Sequence, residues 1–213
     1  MRRDDLLLGL ENGALLSQLK PVYGPGAAAA AARLAELVRE YGEIFPCGED
    51  TRTLLFSTPG RTELGGNHTD HQRGHGLCAS VDLDTIACVV PNESRVIRVK
   101  SRHHRIAEVD LDDLSIHQEE VGNSVALVRG IAARVEQLGY PVTGFDAYTT
   151  TSVLRGSGLS SSAAFEVLMG TIANHLFCGG AFSPVQVAQM GQYAENVYFG
   201  KPCGLMDQLS CSV

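Results

Sequence analysis

Residues 154–165 read L-R-G-S-G-L-S-S-S-A-A-F and hold the strongest local signal in the chain. Gly156 and Gly158 are followed by three consecutive serines, residues 160–162, and then by an apolar run of helical composition that starts at Ala163. A glycine turn that leads into a helix N-terminus leaves backbone N–H groups unpaired, with the positive end of the helix dipole behind them. Such a turn is typical of an anion site, and phosphate is its most common ligand.

This stretch lacks the features of two well-known phosphate-binding turns. No Gly-Lys-Ser/Thr ends it, which excludes a Walker A loop, and the G-x-G-x-x-G pattern of dinucleotide-binding turns is incomplete. An ordinary helix that is capped by a serine after a glycine turn fits the same residues. The stretch by itself leaves both interpretations open.

The composition is that of an ordinary globular protein. The chain has 213 residues, of which 44% are hydrophobic and 19% charged, enough for one large domain or two small ones. The net charge of −7 argues against nucleic acid and anionic membrane as general partners, so a bound anion needs a local site. Six cysteines without a C-x-x-C pair, and no secretory or membrane segment, predict reduced thiols in a cytoplasmic protein.

The order of the predicted elements indicates an α+β fold. Strands come first, helices follow, and no regular βαβ repeat is present. The expected helices cover about residues 4–19, 27–41, 121–138, 160–177 and 183–198. The expected strands cover residues 53–58, 77–90, 95–100, 105–109, 142–150 and 208–213, and the first of them ends at Pro59-Gly60.

Most of the glycine and polar residues between these elements lie in three loops, residues 59–76, 154–162 and 200–208. The first loop contains five glycines together with Arg61, His68 and Asp70, a composition that no regular element favours. The third loop contains Asp207. A phosphate-binding turn, an arginine and a carboxylate are what phosphoryl transfer requires besides Mg²⁺, because its catalysis consists of positioning and charge stabilisation.

With these residues in place, the sequence resembles the galactokinases of the GHMP kinase superfamily, which comprises sugar, homoserine, mevalonate and phosphomevalonate kinases. The family motif G-R-x-N-L-I-G-E-H-T-D corresponds to G-R-T-E-L-G-G-N-H-T-D at residues 60–70. The motif G-x-G-L-S-S-S-A is matched at residues 156–163, and C-G-I-M-D-Q appears as C-G-L-M-D-Q at residues 203–208. Three motifs in the family's order are far more specific than any one of them.

The resemblance assigns the catalytic and sugar-binding residues by position. Asp207 matches the carboxylate that acts as a base for the C1 hydroxyl of the sugar, or at least orients it. Arg61 matches the arginine that keeps this aspartate ionised and offsets charge on the transferred phosphoryl group. Asn67, His68 and Asp70 match positions that contact the sugar.

The resemblance also implies sites for ATP and Mg²⁺. Ser162 and Glu195 match the two Mg²⁺ ligands of the family. The ATP phosphates are implied to bind the loop that consists of Gly156, Ser157, Gly158, Leu159, Ser160, Ser161 and Ser162. Without the motif, Glu195 would be interpreted as an ordinary surface charge on a helix.

The activity that the resemblance implies is the phosphorylation of galactose at its C1 hydroxyl by ATP, with Mg²⁺, to give galactose 1-phosphate and ADP. The implied fold is the GHMP kinase N-terminal domain, which is similar to domain 2 of ribosomal protein S5 and has a mixed sheet with helices packed on one side. The expected partners are the small-molecule substrates galactose and ATP, with no nucleic acid and no membrane. The sequence predicts nothing about protein partners.

Two departures from the family motif leave other functions open. Asn67 replaces a glutamate, and E-L-G-G at residues 63–66 replaces N-L-I-G. Since asparagine is neutral and also donates hydrogen bonds, a kinase for another sugar such as N-acetylgalactosamine is one alternative. A non-catalytic sensor that binds galactose and ATP is another, although the intact serine loop and the presence of Arg61 and Asp207 argue against it.

The motifs also suggest a division of the chain. Residues 1–26 have no counterpart in the family pattern and form an expected N-terminal helical extension, while residues 27–213 form the expected ATP- and sugar-binding domain. The family extends well beyond this length, and the chain ends on apolar Val213 without a terminating signal. We therefore expect the sequence to be the N-terminal portion of a longer protein.

Overall fold

The computed structural model describes residues 1–48 and 50–213. The helices in this part of the chain are α1 (Arg3–Glu11), α2 (Leu16–Tyr23), α3 (Ala27–Ile44), α4 (Ser124–Gln137), α5 (Ser161–Phe177), α6 (Pro184–Tyr193) and α7 (Met206–Ser212). The strands are β1 (Leu54–Gly65), β2 (Leu77–Pro91), β3 (Val96–Ser101), β4 (Ile106–Asp110) and β5 (Phe145–Thr151). A π-helical segment, Ala194–Phe199, follows α6. Across the described residues, no helix is long and apolar enough to span a bilayer.

The strands form one mixed sheet in the order β1-β2-β5-β3-β4. β2 lies antiparallel between β1 and β5, and β3 and β4 form an antiparallel hairpin. β3 and β5 pair in parallel, because the chain crosses over through α4 before it returns as β5. The α+β class with a mixed sheet is therefore confirmed.

β2 is buried on both faces, and this determines the layers of the domain. Residues 86–90 form a continuous apolar run, which is typical of a strand that is covered on both sides. Ala87 and Val89 belong to the core formed with α4 and α5, whereas Ile86 and Cys88 belong to a second core formed with α1 and α3. Helices thus pack on both faces of the sheet, which corrects the expectation that they pack on one side.

The first helices are part of this second core. Leu6 and Leu10 of α1 are buried in one cluster with Leu37 and Tyr41 of α3. α1 and α3 therefore share apolar surface that neither would bury alone. The division into an extension of residues 1–26 and a domain of residues 27–213 stays a prediction.

β1 is longer than predicted. The strand continues through Pro59-Gly60 to Gly65, and its register with β2 shifts between Pro59 and Arg61. β1 is an edge strand, and proline is tolerated on an edge because its missing N–H need not serve a second neighbour. The continuation places Arg61 in the sheet, whereas the sequence predicts a loop over residues 59–76.

Residues 208–213 lie mostly in a helix, although the sequence predicts a strand there. A short run of mixed apolar and polar residues does not distinguish the two by its periodicity. The decisive contact lies far away in the sequence, because Met206 N, at the start of α7, donates a 3.0 Å hydrogen bond to Asp70 Oδ2. This contact supplies an acceptor for a backbone group that a helix start leaves unpaired.

α6 and the segment after it carry Glu195 to its place. Ser183 and Gln186 form a capping box at the start of α6, and Pro184 occupies its first position. After Tyr193 the chain continues into the π-helical segment that contains Glu195. Such a change of winding rotates the following side chains about the helix axis, and it is frequent at functional sites.

Asp84 fastens the N-terminal helices to the sheet. Its carboxylate accepts hydrogen bonds of 2.8 Å each from Tyr23 Oη, Arg33 Nη1 and Ser57 Oγ. Burial raises the pKa of Asp84, but these three hydrogen bonds and the Arg33 charge outweigh it and hold the pKa below its ordinary value. The ionised carboxylate thus joins α2 and α3 to β1 and β2.

We expect Asp84→Ala to lower the free energy of unfolding by about 1–3 kcal/mol, because buried donors lose their acceptor. Asp82→Ala is the matched control, since Asp82 is an exposed carboxylate on the same strand, and it should change stability by less than about 0.5 kcal/mol. Urea unfolding at pH 7 measures both values. Equal losses in the two variants would contradict this role of Asp84.

The stability difference between the wild type and Asp84→Ala should depend on pH. The pKa of Asp84 is depressed in the folded state, so its contribution to stability is present above the ordinary pKa of about 3.9 and is lost as the pH falls through the folded value. The stability difference between the wild type and Asp84→Ala should therefore shrink as the pH falls through this range. A difference that stays constant in acid would show that the charge of Asp84 contributes nothing.

Candidate active site

The arginine, the carboxylate and the glycine-serine loop meet at one place. Arg61 donates two hydrogen bonds to Asp207, 2.8 Å from Nε to Oδ1 and 2.8 Å from Nη2 to Oδ2. Arg61 Nη1 also donates to Gly158 O at 2.7 Å. This bidentate pair joins β1 to α7 and brings together three segments that the sequence predicts to act on one substrate.

The pair is largely removed from solvent. The side chain of Arg61 is 7% exposed and that of Asp207 is 22% exposed. Burial alone would raise the pKa of Asp207, but hydrogen bonds from Arg61 and Ser160 and the Arg61 charge hold it below its ordinary value. Burial would likewise lower the pKa of Arg61, and the contact with Asp207 raises it instead. Both groups are therefore ionised at neutral pH.

Gly60 allows β1 to approach the glycine-serine loop closely. A Cβ at this position would lie 2.9 Å from Leu159 O and 3.0 Å from Val153 Cγ1, which is closer than a side chain tolerates. Arg61 N donates to the same Leu159 O at 3.1 Å. The glycine thus sets the backbone spacing from which the Arg61 side chain reaches Asp207.

His68 and Asp70 lie beside the pair. His68 Nε2 is 3.2 Å from Asp207 Oδ1 and 3.2 Å from Arg61 Nη2, and its Nδ1 is 3.4 Å from Asp70 Oδ1. Asn67 is exposed and, like His68, has a left-handed backbone conformation, with φ of 53° and 56°. Asparagine adopts this conformation more readily than most residues. The predicted sugar-binding positions are therefore on the turn that borders the carboxylate.

Glu63 supports this turn, although the sequence-based assignment missed it. Its Oε1 accepts a 2.8 Å hydrogen bond from His68 N. Thr69 Oγ1 donates to Gly66 O across the same turn at 2.8 Å. The departure from the family motif could have indicated this role. Glu63 stands where the motif has asparagine, and Asn67 stands where the motif has glutamate.

The glycine-serine loop has the shape of an anion-binding turn. Of the seven residues predicted to hold phosphates, five precede α5, and Ser161 and Ser162 form its first turn. Gly156, Gly158 and Ser160 have positive φ values of 79°, 76° and 55°, so the chain turns sharply before the helix begins. Within the described residues, the backbone N–H groups of residues 158–160 donate to no protein acceptor. These groups are available to water or to an external anion, so the predicted phosphate site stays a prediction.

Ser160 also connects this loop to the carboxylate. Its hydroxyl donates a hydrogen bond to Asp207 Oδ2, the same oxygen that accepts from Arg61 Nη2. A carboxylate that accepts several hydrogen bonds is stabilised in its charged form and is fixed in orientation. The loop predicted to bind ATP and the predicted base are thus in direct contact.

The two predicted Mg²⁺ ligands lie on different elements. Ser162 is in the first turn of α5, and the side chain of Glu195, in the π-helical segment, is only 4% exposed. Glu195 accepts hydrogen bonds from Lys201 Nζ at 3.3 Å and from Gln208 Nε2 at 2.8 Å. In the described part of the chain no group of three His, Cys, Asp or Glu side chains is arranged to hold a metal ion. The shared role of Ser162 and Glu195 stays a prediction.

Behind Asp207, Glu166 and Gln208 form a buried polar pair that sequence reasoning missed. Both residues have no exposed surface, and Gln208 Nε2 donates to Glu166 Oε2 at 2.9 Å. Burial first, and the charge of Glu195 second, raise the pKa of Glu166 to about 8. The available signal is a single glutamate within the otherwise apolar run A-A-F-E-V-L-M at residues 163–169.

Comparison with known proteins identifies the family. A model described as "Galactokinase galactose-binding signature" matches residues 39–91, and one described as "GHMP kinases N terminal domain" matches residues 126–213. The galactokinase of Lacticaseibacillus paracasei is 36% identical over 157 residues, which is 73% of this chain. That of Bacillus subtilis is 33% identical over 179 residues, which is 82% of this chain. The chain belongs to the galactokinase family of the GHMP kinases.

Solved structures agree with this assignment of the galactokinase fold. The crystal structure of Lactococcus lactis galactokinase complexed with galactose matches 84% of this chain with a TM-score of 0.74 and 29% identity. Mevalonate kinase of Methanococcus jannaschii matches 76% with a TM-score of 0.63, and its 16% identity supports the fold alone. The chain spans 40% and 45% of the two curated galactokinases and 46% of the L. lactis chain.

The two matched regions of this galactokinase-family chain each supply half of the ion pair. The region of residues 39–91 contains Arg61 together with the turn at His68, and the region of residues 126–213 contains the glycine-serine loop and Asp207. The bidentate contact therefore lies where the two family signatures meet in space.

Gly204 offers a test of how tightly the site is built. A Cβ at Gly204 would lie 1.7 Å from Asp70 Oδ2, the oxygen that accepts from Met206 N. We expect Gly204→Ala to displace Asp70 and to lower the free energy of unfolding by about 1–3 kcal/mol, as overpacking does. Gly65→Ala is the matched control, because a Cβ there meets nothing within 4 Å.

Urea unfolding compares the two alanine variants under one condition. Gly65→Ala should remain within about 0.5 kcal/mol of the wild type, as most open surface positions do. If Gly204→Ala is as stable as Gly65→Ala, the close contact between Gly204 and Asp70 is not a constraint on the site.

Proposed function

We propose that the protein containing this chain transfers the γ-phosphoryl group of ATP to the C1 hydroxyl of galactose, giving galactose 1-phosphate and ADP. The observation that carries the proposal is the bidentate pair of Arg61 and Asp207 against the glycine-serine loop. Membership of the galactokinase family and the likeness to a galactokinase complexed with galactose support the choice of sugar and reaction. ATP follows as the co-substrate from the kinase family.

Asp207 is the proposed base. Its carboxylate is ionised, partly exposed and held by three donors, so it can accept the hydrogen bond of an incoming hydroxyl without reorienting. The hydroxyl oxygen forms a bond to the γ-phosphorus, the bond from the γ-phosphorus to the bridging oxygen breaks, and ADP leaves. Asp207 accepts the proton of the hydroxyl, or at least orients it for attack.

Arg61 and the loop would offset the negative charge of the phosphates. Arg61 is ionised, and its guanidinium contacts both the carboxylate and the loop carbonyl of Gly158. The backbone N–H groups of the loop and of the N-terminal end of α5 would donate hydrogen bonds to the phosphate oxygens of ATP. Because these donors are already in place, they can stabilise charge in the transition state without reorganisation.

The turn at residues 67–70 is the proposed sugar contact. Asp70 Oδ1 is buried and lies 3.4 Å from His68 Nδ1, but it accepts no well-formed hydrogen bond among the described residues, so a sugar hydroxyl that displaced this neighbour would find an acceptor. A buried acceptor discriminates against a sugar whose hydroxyl points elsewhere, because the acceptor is then left unpaired. Asn67 and His68 would complete the contact from the same turn.

The predicted Mg²⁺ ligands fit that ion in their chemistry. The Ser162 hydroxyl and the Glu195 carboxylate supply oxygen ligands, which Mg²⁺ prefers, and the ion would displace Lys201 Nζ, which lies 3.3 Å from Glu195 Oε1. Bound Mg²⁺ would neutralise charge on the β- and γ-phosphate oxygens. Ser162 and Glu195 would hold the ion, and the glycine-serine loop would orient the phosphates beside it.

The proposal is tested by ADP release with ATP, Mg²⁺ and a panel of hexoses that includes galactose, glucose and N-acetylgalactosamine. We expect release that depends on galactose and that falls about 10²- to 10⁴-fold in Asp207→Asn, because the neutral amide no longer accepts the proton. Asp112→Asn is the control, since Asp112 is exposed and pairs with Arg95 away from the site. ATP binding should persist in both variants.

Other outcomes would replace the proposal. Release that depends on N-acetylgalactosamine and not on galactose would retain the kinase and change its substrate, with Asn67 as the first residue to examine. ATP and galactose binding without ADP release would indicate a sensor. Full activity in Asp207→Asn would contradict the role of the carboxylate.

A further inference from the structure

A buried polar cluster lies directly behind Asp207, and the proposed reaction does not use all of it. Its members are Glu166, Gln208 and Glu195, which are 0%, 0% and 3% exposed. Gln208 is the link, because its Nε2 donates to Glu166 Oε2 at 2.9 Å and to Glu195 Oε2 at 2.8 Å. One amide group thus holds two carboxyl groups from two other elements, α5 and the π-helical segment.

The cluster is closely packed. Gly191 of α6 lies against it, since a Cβ at Gly191 would be 3.2 Å from Gln208 Cγ and 3.2 Å from Glu166 Cβ. Four elements, α5, α6, the π-helical segment and α7, therefore enclose these side chains. In a cluster packed this closely, adding or removing one methylene group in a side chain is enough to shift its neighbours.

This cluster stabilises the core less than apolar side chains would. Glu166 Oε1 and Gln208 Oε1 are buried and have no hydrogen-bond donor among residues 1–48 and 50–213. Burial of unpaired polar atoms costs free energy, and apolar side chains of the same size often stabilise a protein more. The raised pKa of Glu166 reduces the cost, because the neutral acid avoids a second buried charge beside Glu195.

The position of Gln208 suggests what the cluster does. Gln208 directly follows Asp207 on α7, and neighbouring residues on a helix project about 100° apart. Asp207 faces Arg61 and Ser160, while Gln208 faces Glu166 and Glu195. α7 has only seven residues, so its place depends on side-chain contacts rather than on helix formation.

We propose that Gln208 and Glu166 are positioning residues, which fix the rotation of α7 and thereby the aim of the Asp207 carboxylate at the acceptor hydroxyl. The same amide holds Glu195 in place from the other side. Neither residue touches a substrate in this account. The inference rests on the proposed function, and it adds two residues that act through Asp207.

The test compares steady-state kinetics of the phosphorylation in Gln208→Met and Glu166→Leu, which keep the volume and remove the hydrogen bonds. We expect kcat to fall about 10- to 100-fold, since a misplacement of about 1 Å costs this much. KM for galactose should stay within about threefold, because the contacts of the turn at residues 67–70 remain. Glu166→Gln keeps an acceptor for Gln208 without a charge and should restore most of kcat at pH 7.

Ile172→Ala is the matched control. Ile172 lies on α5, as Glu166 does, and is fully buried in the core between α5 and the sheet. We expect it to lower the melting temperature at least as much as Gln208→Met while kcat stays near that of the wild type. If Gln208→Met does not fold, Gln208→Asn replaces it, because its shorter side chain withdraws the same donors.

Three results would overturn the proposal. They are a wild-type kcat in Gln208→Met, a loss of kcat in Ile172→Ala equal to that in Gln208→Met, and a Glu166→Gln variant as slow as Glu166→Leu. The proposed function fails separately, if the wild type phosphorylates no sugar. In that case amide hydrogen exchange tests the positioning role without turnover. Gln208→Met should speed exchange of the α7 amides at least about tenfold relative to Ile172→Ala. Equal exchange in the two variants would reject the positioning role.

Discussion

The bidentate contact between Arg61 and Asp207 connects every part of the site. It joins the edge strand β1 to α7 across 146 residues of sequence, and Ser160 and His68 are placed around it. An ionised carboxylate in a largely buried position is stable only because these partners offset the loss of hydration. The same partners keep it charged at the pH at which a base must accept a proton, so the stability of the pair and its chemical use have one physical cause.

α7 shows how a short helix can be held from two sides. Asp207 is bound on one side by β1 and the glycine-serine loop, and Gln208 on the other by α5 and the π-helical segment. Its first N–H donor, Met206 N, is bound by Asp70 of the proposed sugar turn. These contacts converge on three consecutive residues, Met206, Asp207 and Gln208. The proposed sugar turn, the glycine-serine loop and the acidic cluster therefore all contact one helical turn.

The sequence predicts that Arg61, Asp207 and the glycine-serine turn act together, because they lie in three motifs of one family, and the structure brings the three into contact while their roles stay predictions. The fold class followed from element order, but the full length of β1, the helical state of α7 and the second helical layer did not. Pro59-Gly60 ends most strands, yet an edge position tolerates it, and α7 is helical through a contact with Asp70 that no local pattern contains. Glu166 and Glu63 were missed for the same reason, because a single charge in a sequence has no partner until the chain is folded.

The most direct test of this account is a titration of the Asp207 carboxyl group by carbon NMR, with Asp207→Asn used to assign its resonance. The account predicts a pKa below the ordinary value of about 3.9, because Arg61 and Ser160 outweigh burial. In Arg61→Met the pKa should rise, since burial then acts with less opposition. A pKa at or above the ordinary value in the wild type, or no change in Arg61→Met, would contradict the claim that this ion pair keeps the carboxylate charged for catalysis.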